Sequence, residues 1–166
     1  MIRRATSAAG TTEWVFRHCQ EDHANLHATL EASTAAEGRF HVRREFGAVY
    51  VAADRETALA ELDHRARMAG LSREDLLPRL LLTLELTARR ILDLTDEGVR
   101  QAWGLTAVDL SDDDYTRCQE VARAARDDGY EAIRFPSARG AGENYAVFLD
   151  RLAPGSHVRE HAREWI

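Results

Sequence analysis

Short apolar runs with few long helical stretches between them set the tightest limit on how this chain can fold. Residues 13–19, 48–53, 80–86, 90–94, 131–135 and 145–149 read as strands, and 38–42 as a short strand or turn. The run at 48–53 is built of small and β-branched residues, as in a strand buried on both faces. Helical spacing is weak over 21–36 and clear over 55–68, where Asp54 is the predicted N-cap, Gly70 the stop, and Ala58, Leu59, Leu62 and Ala66 the apolar stripe. A short helix capped by Thr95 or Asp96 ends at Gly104. Another, capped by Ser111, carries Tyr115, Cys118, Val121, Ala122 and Ala125 on one face and closes at Gly129. Strands and helices do not alternate strictly, which predicts a mixed α+β domain over a doubly wound sheet. With 166 residues the chain suits one domain. The expected division is a flexible N-terminus at 1–12, a globular body at 13–150, and a tail at 151–166 holding a short helix.

Charge and residue usage exclude several functions. The net charge of −6 argues against nucleic acid as the principal partner. All 22 basic residues are arginine, so neither a Schiff-base lysine nor a P-loop is available. Cys19 and Cys118 stand far apart with no CxxC, which predicts two small apolar side chains and no zinc or disulfide framework. His23/His27 and His157/His161 have HxxxH spacing but lack the HExxH glutamate and a third ligand, so both pairs are expected on solvated helix faces and no metal site is expected. No apolar run is long enough for a membrane span, and the opening residues do not read as a secretory signal, so the cytoplasm is the expected compartment.

Three places carry candidate chemistry. Arg39 follows Gly38; the glycine would let the backbone turn sharply and the guanidinium offers a fork for phosphate or carboxylate. Glu61 lies in the helix after the 48–53 strand, between Leu59 and Leu62. A carboxylate at that apolar boundary is either paired, with Arg65 at i+4 the obvious partner, or functional. The Gly-rich stretch 136–144 joins two strands with more residues than a hairpin needs, which suits a site loop.

Seven short motifs occur in a fixed order: Gly38-Arg39-Phe40-His41, Val49-Tyr50-Val51-Ala52, Thr57-Ala58-Leu59-Ala60-Glu61, Ile91-Leu92-Asp93-Leu94-Thr95, Gly129-Tyr130-Glu131-Ala132-Ile133, Phe135-Pro136-Ser137-Ala138-Arg139 and Asn144-Tyr145-Ala146-Val147-Phe148. In this the chain resembles the RES domain family, named for an arginine, a glutamate and a serine, here Arg39, Glu61 and Ser137. The resemblance implies an α+β fold related to ADP-ribosyltransferase toxins of the diphtheria-toxin type. It implies a toxin of a toxin–antitoxin pair that depletes NAD, with NAD as substrate and no cofactor or metal. Glu61, Arg39 and Tyr50 would be catalytic, and Arg17, Arg39, Tyr50, Ser137 and Asn144 would bind substrate. Many members carry Trp-Asn where this chain has Phe40-His41, which keeps an aromatic and loses an amide.

In that chemistry the nicotinamide–ribose bond breaks with positive charge on the ribose. Glu61 would stabilise it, Arg39 and Arg17 would hold the pyrophosphate, Tyr50 would stack on nicotinamide, and Ser137 would bond the amide or ribose. Water or phosphate would accept the ribosyl group. The alternatives are ADP-ribosyl transfer to a protein or small molecule, and a non-catalytic binding domain. The implied partner is an Xre-type antitoxin that blocks the active site in a hetero-oligomer and makes any DNA contacts itself.

Overall fold

The computed structural model describes residues 10–140 and 142–166. The expected flexible terminus falls outside this range over residues 1–9. Thr11 and Thr12 already belong to the first strand. In chain order the elements are β1 (Thr11–Cys19), α1 (Leu26–Thr34), β2 (Val49–Ala52), α2 (Arg55–Met68), β3 (Leu80–Ala88), β4 (Ile91–Asp93), α3 (Glu97–Ala102), α4 (Thr116–Asp127), β5 (Ala132–Pro136), β6 (Glu143–Val147) and β7 (His157–Trp165), with three single 3₁₀ turns between them. The seven strands form one sheet in the order β4-β5-β6-β2-β1-β3-β7. Only β4–β5 is parallel; the other pairs are antiparallel. This is the expected α+β domain.

The sheet separates two cores by strand alternation. On β6, Ala146 joins Leu92, Ile133, Phe135 and the α4 residues Cys118, Val121, Ala122 and Ala125. Its neighbours Tyr145 and Val147 join Val15, Val49, Val51, Leu82 and Leu84. Both cysteines are buried, as expected. β1 and β3 are paired along nine residues, but β1 meets β2 at one register position, Phe16↔Ala52. Beyond it the two strands splay, and α2 packs across both.

α2 begins where the sequence predicts. Asp54 accepts from the Thr57 N–H at 2.7 Å, a cap worth about 1 kcal/mol. Its buried face is Thr57, Ala58, Leu62 and Ala66, with Leu59 half-buried beside it. Ser111 is not a cap. Its hydroxyl bonds back to the Ala107 and Val108 carbonyls, and α4 starts at Thr116, whose N–H is taken by Asp114. The tail does not form a helix; it forms β7, paired with β3 across a bulge at Thr83/Leu84. His157 and His161 therefore lie on a strand, His157 bonded to Glu85 at 2.6 Å and His161 against Trp14. Among the described residues no helix is long and apolar enough to cross a membrane.

Candidate active site

The splay between β1 and β2 opens a cleft of about 710 Å³, bounded also by α1, α2 and the loop before β6. That volume falls in the range of small-molecule sites. Glu61 reaches it from α2. Its Oε1 accepts from the Ser137 hydroxyl at 3.0 Å and from Asn144 Nδ2 at 3.0 Å. Ser137 and Asn144 are each 8% exposed. Glu61 thus takes its partners from the β5–β6 connection and from β6 itself, and not from Arg65. Both bonds converge on one oxygen, leaving Oε2 without a hydrogen bond among the described residues.

Ser137 is held by its own loop. Its N–H donates to the Gly142 carbonyl at 2.8 Å, and its Oγ accepts the Arg139 N–H at 3.1 Å. At Gly142 a Cβ would come within 1.7 Å of Thr57 Oγ1, so glycine lets the loop lie on the first turn of α2. Ser137 stands behind Glu61 and does not line the cleft, whereas Asn144 and Arg139 do.

Tyr50 stands on β2, its ring edge-on to Phe135. Its hydroxyl accepts the Phe40 N–H at 2.9 Å and lies 2.9 Å from His41 Nδ1. Burial raises the Tyr50 pKa above the ordinary phenol value, so the hydroxyl stays protonated. His41 is 4% exposed, and burial lowers its pKa against the opposing pull of the Ala36 and Ser33 carbonyls and Glu37. Gly38 is required for a reason other than a sharp turn. A Cβ there would sit 1.9 Å from His41 Cε1, so the imidazole rests against its bare Cα.

Arg39 is positioned by backbone. Its Nη1 donates to the carbonyls of Asp109 at 2.9 Å and Asp112 at 2.8 Å, and its guanidinium lies over the Tyr115 ring at 4.8 Å. It therefore holds the 109–115 segment at the cleft wall. Arg17 donates from Nη1 to the His23 carbonyl at 3.0 Å.

The structure brings Arg17, Arg39, Tyr50, Glu61 and Asn144 to one cleft, with Ser137 one bond behind. It adds His18, His41, Arg65 and Tyr115, which sequence reasoning placed elsewhere or passed over. Tyr115 was assigned to the apolar face of α4, but it precedes that helix and supports Arg39. Four arginines (17, 39, 65 and 139) and one carboxylate, Glu61, line the cleft. Among the described residues none of these arginines forms an ion pair, and no group of three or more His, Cys, Asp or Glu is placed to hold a metal.

The chain is also similar to known proteins. The chain is 30% identical over 151 residues to the NAD(+) phosphorylase MbcT of Mycobacterium tuberculosis strain H37Rv, covering 89% of this chain and 81% of the relative. It is 34% identical over 131 residues to the probable NAD(+) phosphorylase Rv3189 of the same strain, covering 76% and 61%. The crystal structure of the M. tuberculosis MbcT–MbcA toxin–antitoxin complex contains a chain that superposes with a TM-score of 0.80 at 25% identity, covering 95% of this chain and 86% of that one. Residues 14–166 match the family described as RES domain, so the chain belongs to the RES domain family.

Proposed function

We propose that this chain is an enzyme that cleaves the nicotinamide–ribose bond of NAD and acts as the toxin of a toxin–antitoxin pair in the cytoplasm. The observation that carries the reading is the cleft lining: four arginines with no ion pair among the described residues, around one hydrogen-bonded glutamate, in a chain of net charge −6. Such a lining fits a ligand with several negative charges whose reacting centre becomes positive.

As the C1–N bond of the ribose breaks, its electron pair leaves with nicotinamide, which departs neutral, so no strong general acid is needed. Positive charge grows on the ribose. Glu61 faces it with a fixed carboxylate, and the bonds from Ser137 and Asn144 hold that carboxylate in one orientation before the reaction begins. Tyr50 offers a neutral ring as a stacking wall for nicotinamide. Arg17 and Arg39 hold the pyrophosphate. The names of the relatives favour phosphate as acceptor. One of its oxygens bonds to C1 and gives a ribosyl phosphate; with water the product is the free sugar and a proton.

An antitoxin of Xre type would inhibit by filling the arginine-lined mouth with a carboxylate side chain or its own C-terminus, in a hetero-oligomer whose DNA contacts the partner makes. The test is nicotinamide release from NAD by purified protein, with and without inorganic phosphate. Phosphate-dependent release is expected. Well-folded protein that releases none under either condition would refute the assignment.

A further inference from the structure

β7 is the last strand of the sheet, so among the described residues its outer edge has no strand neighbour. It is nine residues long, and everything from Arg159 to Trp165 is exposed. An edge of this kind is a template for another strand. Two features of β7 select which strand fits.

The first is its bulge. Thr83 stands opposite Ala162 and Leu84 opposite Glu160, so His161 is the extra residue. Residues opposite each other in an antiparallel pair share a face of the sheet. Val158, Glu160, Arg163 and Trp165 therefore lie on the face of Leu86, Leu84, Leu82 and Leu80. Arg159, Ala162 and Glu164 lie on the other face, where His161 rests against Trp14. The order of faces is thus the same read from either end, about the midpoint between His161 and Ala162. A second copy related by a two-fold axis through that midpoint, perpendicular to the sheet, keeps every residue on its own face. Moving the axis by one residue either way pairs residues from opposite faces. An unbulged strand has no such midpoint, because its neighbours alternate.

The second feature is the sequence. About the same midpoint, Arg159 of one copy falls opposite Glu164 of the other, Glu160 opposite Arg163, and Val158 opposite Trp165, each pair twice. Opposite charges and apolar contacts stabilise directly opposed positions. Glu160 and Arg163 already bond across the bulge at 2.5 Å, and a second copy closes them into a ring of alternating sign. Charges and bulges ordinarily blunt an edge against pairing. Here they discriminate: they disfavour other edges and other registers and leave one self-complementary match.

We propose that β7 is a homotypic interface, at which two copies of this chain pair their β7 strands antiparallel about a two-fold axis between His161 and Ala162 and join their sheets into one. No residue of β7 lines the cleft, so the pairing leaves the cleft walls untouched and the inference does not rest on the NAD reading.

The experiment is sedimentation equilibrium of the full chain over a wide concentration range, at low and high salt, with a thermal melt of each variant. A monomer–dimer equilibrium that weakens with salt is expected. Arg159→Glu sets like charges opposite Glu164 at two places and should weaken dimerisation about tenfold or more. Arg159→Glu with Glu164→Arg restores both pairs and should recover most of the affinity. Trp165→Ser removes the apolar pair at each end and should also weaken the dimer, which carries the test should Arg159→Glu unfold. Amide exchange in β7 should slow as concentration rises, at the N–H groups that point away from β3. A parent that stays monomeric throughout overturns the proposal. So does a dimer that none of the variants weakens, which pairs through another surface, and so does a loss in Arg159→Glu that the charge swap leaves in place.

Discussion

The hydroxyl of Tyr50 lies 2.9 Å from His41 Nδ1 and accepts the Phe40 N–H at the same distance. The residue that replaces the family's common asparagine therefore has a definite task in this chain: it fixes the phenol at the cleft wall. An imidazole is larger than an amide side chain, and Gly38 supplies the space it needs.

His41→Ala removes one of the two partners of the Tyr50 hydroxyl. The expected loss in kcat for NAD cleavage is about 3–10-fold, the worth of one neutral hydrogen bond. Tyr50→Phe in the same background should add little from this source, because the two side chains act as a pair. A double-mutant cycle on kcat/KM measures the coupling; fully additive losses would show that the contact is not used.

Glu61→Gln keeps the size of the side chain and an oxygen able to accept from Ser137 and Asn144. Stability should change little, since the packing is preserved. Nicotinamide release should fall at least about 10²-fold, the scale of losing one electrostatic stabiliser. A variant that unfolds would instead assign the carboxylate to the fold.

Arg39→Lys loses the guanidinium plane over Tyr115 and, being one bond shorter, brings its ammonium short of the Asp109 and Asp112 carbonyls that Nη1 reaches. The expected signature is a raised KM for NAD together with faster amide exchange across 109–115. Unchanged exchange would separate Arg39 from the wall it is seen to hold.

Glu131 predicts an acid-stability limb. It is 2% exposed and accepts the N–H groups of Arg89 at 2.6 Å, Arg90 at 3.0 Å and Ala153 at 2.6 Å. Burial raises its pKa, but the bonds from these N–H groups, with the nearby Ser156 hydroxyl, outweigh it and hold the carboxyl below its ordinary value. The stabilisation is therefore complete above the unfolded glutamate pKa of about 4.3 and is lost as pH falls through it toward the folded value. Glu131→Gln should lower Tm at pH 7 and flatten the Tm profile below about pH 5. Parallel profiles for the two proteins would contradict this.

Gly142→Ala puts a methyl group 1.7 Å from Thr57 Oγ1. Overpacking of this kind costs about 1–3 kcal/mol. The loop behind Glu61 should shift, so NAD cleavage should fall even though no chemical group is lost. Thr57→Ser leaves that hydroxyl near the added methyl, whereas Thr57→Ala in the same background should restore part of the activity.

What the sequence revealed and what it hid follow from the range of the forces involved. α2, its Asp54 cap and the position of Glu61 were legible because capping and apolar periodicity act within a few residues. The partners of Glu61 were not: Ser137 and Asn144 arrive from 76 and 83 residues away, and the local candidate Arg65 was the wrong one. β7 was misread because nearly all of its residues are exposed. Its HVREHAREW sequence offers no apolar alternation, and its strand form comes from pairing with β3. The His18–Arg79 contact spans 61 residues and depends on β1–β3 register, which no short motif encodes.

The single β1–β2 register pair has a thermodynamic consequence. Few backbone bonds stitch the two halves of the sheet across that seam, so the halves are coupled mainly by α2 lying over it. A ligand gripping Arg17 on one lip and Tyr50 on the other is a cross-brace between them. Saturation with an uncleavable dinucleotide at 100 times its Kd would add about 2.7 kcal/mol to the unfolding free energy by mass action. Amide exchange slowed first along the facing edges of β1 and β2 would locate that gain at the seam.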